Sequence, residues 1–108
     1  MFEIKGNNIR LTRGDSLYVQ ISLTKDGETY TPEEGDVIRF AMKKHYLDSE
    51  ALVTKTVPTD TMILHLEPSD TKELDFGKYV YDLEITFADG DVDTFINEAD
   101  FVIAPEVE

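Results

Sequence analysis

The side chains in this sequence that could take part in chemistry are mostly carboxylates, with two histidines and no cysteine. There are 23 Asp and Glu residues, and the histidines are His45 and His65. Catalysis needs a nucleophile beside a base, or two carboxylates held in different environments. His65 falls on an outward position between two inward leucines, and His45 lies in a polar loop. No pair is singled out by spacing, so the sequence predicts a protein that is not an enzyme and binds no cofactor.

One acidic run, Asp89-Gly90-Asp91-Val92-Asp93, has the composition of a calcium loop. Calcium takes six or more oxygen ligands, and an EF-hand loop closes with a bidentate glutamate at its twelfth position. Strand alternation instead sends Asp91 and Asp93 to the same outer face, and the glycine does not fall at the required position. The run therefore favours an acidic hairpin tip, and we predict no metal site.

A second short motif, Arg13-Gly14-Asp15, spells the tripeptide that some integrin ligands present. The same residues are typical of a turn between two strands, in which glycine supplies unusual dihedral angles and aspartate begins the next element. A tripeptide recurs often by chance, so the turn is the favoured interpretation.

The overall charge narrows the classes of partner. The 108 residues carry a formal net charge of −13, and such a surface repels both nucleic-acid phosphates and anionic membrane faces. No apolar run reaches transmembrane length, and Met1-Phe2-Glu3 does not begin a signal peptide. We therefore expect one domain over residues 1–108 that is made in the cytoplasm, with neither nucleic acid nor a membrane as its partner.

The strongest structural pattern lies at residues 79–88, where apolar and mostly polar positions alternate. This period of two indicates a strand with one buried face. Asp89-Gly90 follows, which is the dipeptide preferred in two-residue hairpin loops. Such a loop fixes the register of the two strands, pairing Leu83 with Ile96 on the inner face.

The same register predicts a protein-binding surface. It places Phe95 on the outer face opposite Glu84, with Val80 near the start of that face. An exposed phenylalanine on a strand needs a cover, either from the chain itself or from a partner, and both alternatives stay open. The last strand is predicted to be an edge that could accept an added strand.

Gly77, Tyr79 and Tyr81 are predicted to have a structural role. In immunoglobulin-like sandwiches a "tyrosine corner" places a tyrosine near a strand start, with its hydroxyl bonded to upstream backbone. Tyr79 would take that position, bonded near Leu74 or Asp75. The alternative is that both tyrosines are simply core aromatics.

The remaining alternation and turn signals predict the other elements. A short helical turn is expected at 68–74, because proline is favoured at the first helical position. The other strands are expected at 2–12 with a break at Gly6-Asn7, 16–24, 36–43, 51–57, 61–67 and, interrupted at Asn97-Glu98-Ala99, 91–104. The prediction is an all-β fold, a single antiparallel immunoglobulin-like β-sandwich of about seven strands with one short helical turn.

Several short motifs together resemble a known family. They are Leu11-Thr12-Arg13-Gly14-Asp15, then Leu66-x-Pro68-x-Asp70-Thr71-x-x-Leu74-x-x-Gly77-x-Tyr79-x-Tyr81-Asp82, then Asp89-Gly90, Thr94 and Phe101-x-Ile103-x-Pro105. The chain resembles the small immunoglobulin-like β-sandwich structural proteins encoded in phages and prophages of Gram-positive bacteria. Over nearly its whole length it is similar to the N-terminal domain of upper baseplate proteins.

The resemblance implies a tail, baseplate or virion-assembly component that works through protein–protein contacts. It implies other phage structural proteins and further copies of the chain as partners. The implied location is the virion, or the cytoplasm of the bacterial host during assembly. Because the sequence ends at Glu108 without a stalk or receptor-binding module, we expect an assembly or decoration part.

The second function class is a stand-alone binding module for carbohydrate or a cell-surface partner. A sugar site would need exposed aromatic side chains with polar neighbours. The outward candidates are Tyr18, Tyr30, Tyr46 and Phe95, and they form no platform in the sequence.

Overall fold

The fold is built almost entirely of short β-strands. The computed structural model describes residues 2–5, 8–25, 27–45 and 47–105, apart from the side chains of 2–5, 24–25 and 95–98. The elements are β1 (Phe2–Lys5), β2 (Asn8–Thr12), β3 (Leu17–Gln20), β4 (Leu23–Lys25), β5 (Glu28–Tyr30), β6 (Val37–Lys43), β7 (Val53–Val57), β8 (Ile63–Leu66), α1 (Pro68–Thr71), β9 (Gly77–Thr86) and β10 (Val92–Ala104). The predicted all-β class with one short helical turn is confirmed, with more and shorter strands than the alternation predicted.

Six of these strands form one sheet, in the order β1-β2-β10-β9-β6-β7. Its neighbouring strands are antiparallel except for β2 and β10, which run parallel with Ile9 opposite Phe101. Two further pairs, β3 with β8 and β4 with β5, are antiparallel. The prediction of a wholly antiparallel fold is therefore wrong, because the N-terminal strand β2 joins the last strand in the same direction.

The N-terminal region also differs from its prediction. Residues 2–12 do not form one interrupted strand, since β1 folds back on β2 with Phe2 opposite Leu11. The predicted break at Gly6-Asn7 lies outside the described residues. The chain reversal turns a predicted single strand into a hairpin, with β1 as one edge of the large sheet.

One hydrophobic core joins the six-stranded sheet to the β3–β8 pair. Ile38, Phe40 and Met42 of β6 are fully buried, as are Leu17, Leu64 and Leu66 from the smaller sheet. At the centre, the rings of Phe40, Tyr81 and Phe101 contact one another with centroids 5.4–6.2 Å apart. Burial raises the pKa of Tyr81 to about 12. The core thus contains residues of both the six-stranded sheet and the β3–β8 pair.

The hairpin between β9 and β10 has a three-residue loop, at 88–90. Gly90 N donates to Phe87 O at 2.9 Å, and Phe87 N donates to Asp91 O at 2.8 Å. Gly90 has φ of 97°, the left-handed conformation in which such a loop closes. The predicted two-residue loop is therefore wrong by one residue, although the hairpin itself is present.

The longer loop changes the register along the strands. Glu84 lies opposite Thr94 and not opposite Phe95. A register shift between Thr94 and Ile96 then leaves Phe95 as the extra residue and brings Ile96 opposite Leu83, as predicted. The predicted pairing of Phe95 with Glu84 is wrong because the loop is one residue longer than predicted, and the bulge then offsets this difference.

Strand β10 lies between β2 and β9 in the sheet order, but among its described residues only Phe101–Ala104 pair with β2. The predicted edge is therefore wrong for 101–104, whereas the prediction that 92–100 could accept an added strand stays a prediction. A second register shift, between Ile96 and Ala99, confirms the predicted interruption at Asn97-Glu98-Ala99. β10 pairs with β9 from Val92 to Ile103 and, at Phe101–Ala104, also with β2.

The edge opposite β1 is β7, which carries a charge on its inward face. Lys55 lies between the buried Val53 and Val57, and its Nζ is 3.0 Å from Asp70 Oδ2 of α1. A charge that points inward from an edge strand opposes the pairing of that edge with another chain.

Candidate functional site

The two longest pieces of the family-like motif meet at one place in the fold. Gly14 N donates to Thr71 Oγ1 at 3.1 Å, and the Arg13 guanidinium donates to Leu74 O at 3.4 Å. Arg13 Cζ also lies 4.2 Å from the centre of the Phe76 ring. Thr71 is fully buried. We call this region, 13–14 with 67–79, the clamp, because it fastens the β2–β3 turn to the segment before β9.

The helical turn within the clamp is shorter than the predicted 68–74. Pro68 occupies its first turn, and Asp70 Oδ2 accepts a hydrogen bond from Glu67 N at 2.7 Å. The same carboxylate receives Lys55 Nζ. Asp70 therefore caps the turn and ties it to the edge strand β7.

The predicted tyrosine hydrogen bond is present at the end of the clamp. Tyr79 Oη donates to Asp75 O at 2.7 Å, and the residue is 3% exposed. Burial is the main cause that raises the pKa of Tyr79, and the Asp75 charge adds to it. Gly77 has φ of 138°, and Lys44 Nζ lies 4.5 Å from the Tyr79 ring centre. The predicted hydrogen bond of Tyr79 is confirmed, and the tyrosine-corner role of Gly77, Tyr79 and Tyr81 stays a prediction.

The clamp also agrees with the favoured interpretation of Arg13-Gly14-Asp15 as a turn. A ligand for a receptor presents its arginine outward, whereas here the guanidinium packs on Phe76 and bonds to Leu74 O. Gly14 has φ of 85°, as a turn requires. The tripeptide forms a turn, and its arginine side chain contacts other residues of the same chain.

Of the predicted protein-binding residues, Val80 and Glu84 lie half-buried on the outer face of β9. The Phe95 side chain lies outside the described residues, so its part in this surface stays a prediction. Glu84 lies opposite Arg39 on β6. Burial, and secondarily the Glu84 charge, raise the pKa of the neighbouring Asp82 carboxyl. The binding role of this face stays a prediction.

A pocket of about 380 Å³ opens at the other end of β9, beside the β9–β10 hairpin. Two aromatic and four acidic residues line it together with one alanine: Tyr30, Glu33, Asp36, Phe87, Ala88, Asp89 and Asp91. The rings of Tyr30 and Phe87 are perpendicular, with centroids 6.0 Å apart, and both pack against the core. The pocket therefore joins an apolar wall to an acidic rim.

Asp36 holds the walls of this pocket together. Its Oδ2 accepts from Tyr30 Oη at 2.7 Å and from Glu33 N at 2.9 Å, and its Oδ1 accepts from Ala88 N at 3.2 Å. The hydrogen bond to Asp36 is the largest of the causes that raise the pKa of Tyr30 to about 12. One carboxylate thus connects β5, the loop before β6 and the hairpin loop.

Gly35 is required at the pocket for two reasons. Its φ is 94°, and a Cβ placed there would lie 2.8 Å from Ala88 Cβ. A side chain would therefore be strained in the backbone and would also push on the hairpin loop. Sequence reasoning placed 29–35 in a loop and did not foresee the pocket, because the Asp36 contacts join residues up to 52 positions apart.

Neither metal binding nor membrane crossing is indicated within the described ranges. Across 2–5, 8–25, 27–45 and 47–105, no three His, Cys, Asp or Glu residues are arranged to hold a metal ion. In the same part of the chain, no helix has the length and apolar composition needed to cross a bilayer.

A stacked ring pair lies on the outer face of the small β3–β8 sheet. Tyr18 is opposite His65, and their rings are 4.3 Å apart with an interplanar angle of 8°. Tyr18 is 58% exposed, and His65 points outward as predicted. The pair was missed in the sequence because it depends on the pairing of β3 with β8, which are separated by more than 40 residues.

Comparisons of this chain with protein-family models, with curated proteins and with solved structures give no match.

Proposed function

We propose that this chain is a non-enzymatic structural protein of a phage or prophage particle that acts through protein–protein contacts, and that its strands form an immunoglobulin-like sandwich. The proposal begins from the resemblance described above. Its supporting observation is the clamp, in which the motif residues Gly14 and Thr71, 57 positions apart, are joined by a direct hydrogen bond.

This observation supports the proposal because two separate pieces of the motif contact each other in one region of the fold. Leu66 is fully buried beside the turn, Pro68 begins it, and Tyr79 bonds back to Asp75. Each of these motif residues has a definite structural role in one region. A motif whose separate pieces cooperate in three dimensions is better grounds for a family likeness than the same pieces considered singly.

The surface is also suited to docking. The outer face of the six-stranded sheet carries half-buried residues of both charges and several valines, among them Val80 and Val102. Interfaces between proteins combine an apolar centre with a polar rim. A sheet face of this composition fits a part that contacts neighbouring proteins in an assembly.

Gene neighbourhood is the first test of the proposal. We expect portal, tail or capsid genes beside the coding sequence. The decisive experiment is quantitative mass spectrometry of purified particles from an induced lysogen that carries the gene, compared with particles from a deletion strain. Detection of the chain at a fixed ratio to a tail or capsid protein supports the proposal. If particles from both strains are intact and infective and neither contains the chain, the proposal is wrong.

The alternative function, a carbohydrate-binding module, is favoured by one observation. The Tyr18–His65 pair presents exposed aromatic surface with Gln20 on the same face of β3. Aromatic rings beside hydrogen-bonding groups are the composition that the sugar-site hypothesis required. A glycan-array screen of native protein and Tyr18→Ala tests it, and binding that the substitution abolishes would favour this function over a virion role.

A further inference from the structure

The hairpin end of the six-stranded sheet combines the pocket with an exposed apolar row. Thr86 lies opposite Val37 on one side and Val92 on the other, so the three side chains form one row on the outer face. Val37 is 39% exposed and Val92 is 58% exposed. All three strands lead directly into pocket residues. We call the row and the pocket together the hairpin-end surface.

The lining of the pocket selects a class of ligand. It offers four carboxylates and two aromatic rings, and none of its described lining residues is basic. Carboxylates attract a positive charge, and aromatic rings attract cations and pack on methylene groups. The volume of about 380 Å³ is large for one ion, and no three of the described acidic residues are arranged for a metal. The chemistry suits an organic cation with an apolar stem, such as a lysine or arginine side chain.

The pocket is also formed before anything binds. Asp36 fixes Tyr30 and the hairpin loop through hydrogen bonds of 2.7 Å and 3.2 Å. Asp91 N donates to Asp89 Oδ1 at 3.0 Å, which orders the rim. Groups that are already ordered lose little conformational freedom on binding, so a preformed site favours affinity.

We propose that the hairpin-end surface docks a protein partner, and that the pocket receives a lysine or arginine side chain from that partner while the apolar row contacts its neighbours. The inference rests on the proposed function only in that the chain works through protein–protein contacts. A basic segment is complementary to a chain of net charge −13. A second copy is disfavoured as the occupant, because both copies would carry that charge.

The test uses isotope-labelled native chain and two peptides that differ in one group. The probe is acetyl-Gly-Val-Arg-Val-Gly amide, and its neutral counterpart has citrulline in place of arginine. We expect the arginine peptide to shift the backbone amide signals of 33–36 and 88–91, and the citrulline peptide to leave them unchanged. Added salt should weaken the binding, because the rim is exposed.

Two double variants test whether the rim charges of the pocket bind the arginine peptide. Glu33→Gln with Asp91→Asn removes two rim charges and keeps Asp36, which holds the pocket together. Glu50→Gln with Glu73→Gln removes two exposed charges beyond the opposite end of the sheet. We expect the first variant to bind the arginine peptide about threefold to tenfold more weakly, and the second to bind it like native protein. Equal binding of both peptides, or equal loss in both variants, would overturn the pocket assignment.

Measuring incorporation into particles distinguishes failure of this inference from failure of the proposed function. If native chain and the Glu33→Gln/Asp91→Asn variant enter particles equally, the pocket does not dock the partner, and the structural role stands. If native chain is absent from particles, the proposed function fails whether or not the peptide binds.

Discussion

The two ends of β9 are stabilised in different ways. At its start, the clamp joins the β2–β3 turn to the segment before β9 through contacts that include the fully buried Thr71. At its far end, Asp36 joins three segments but leaves a pocket between them. At the first end, which we call the closed end, polar contacts involve a buried side chain; at the second, the open end, they line a pocket. The partner proposed above would bind at the far end, where the pocket lies.

The largest expected effect is at the open end. Gly35→Ala should destabilise the protein by about 2–4 kcal/mol, because positive φ is strained for alanine and the new Cβ would meet Ala88. Gly27→Ala is the matched control, since its φ is 83° but nothing lies within 4 Å of the new atom. Urea unfolding should show a smaller loss for the control. Equal losses in the two variants would mean that the Gly35–Ala88 contact does not constrain the pocket.

The next effect is at the closed end. Tyr79→Phe should cost about 1–3 kcal/mol, because Asp75 O loses its donor in a partly buried place. Thermal unfolding followed by circular dichroism measures this change. Tyr18→Phe, on an exposed strand position, is the control and should be close to neutral. A Tyr79→Phe protein as stable as native would show that the hydroxyl does not hold this end.

A related substitution measures the link between distant motif pieces. Thr71→Val keeps the shape of the side chain but removes the acceptor for Gly14 N, and should cost about 1–2 kcal/mol. Thr71→Ser keeps the acceptor and should cost less. Hydrogen exchange at the Gly14 amide should speed up in the valine variant alone. Unchanged exchange would argue against the hydrogen bond.

The smallest effect concerns pH. Tyr30 has a pKa raised from 10.0 to about 12 in the folded chain, so folding favours its neutral form. The stability that this tyrosine contributes is therefore present below pH 10 and is lost as the pH rises from 10 to 12. Absorbance titration of phenolate should show one fewer high-pKa group in Tyr30→Phe. Loss of a phenol that titrates near pH 10 in place of the high-pKa one would contradict the Tyr30–Asp36 bond.

Local patterns predicted part of this molecule. The alternation along β9 identified its buried face, Pro68 indicated the helical turn, and the spacing of Gly77 and Tyr79 indicated the hydrogen bond to Asp75. These features depend on residues a few positions apart, so propensity and periodicity are enough to find them.

Other features depend on which segments meet. The three-residue loop at 88–90 and the bulge at Phe95 shift the register in ways that the Asp-Gly dipeptide alone does not determine. The parallel pairing of β2 with β10 and the Tyr30–Asp36–Ala88 connection join distant parts of the chain. Because sequence alone gives no partner for these groups, neither the mixed sheet nor the pocket could be predicted.

The parallel pairing of β2 with β10 also has a consequence for biosynthesis. Ile9 must meet Phe101 and Leu11 must meet Ile103, so some 90 residues of chain separate partners at the middle of the sheet. Contacts of such large sequence separation slow folding, because the loop must close before they contribute stability. On the ribosome, β2 has no central neighbour in the sheet until residues 92–104 have emerged. We therefore expect the large sheet to be completed only after translation of β10. Until then, β2 of the nascent chain would pair with β1 alone.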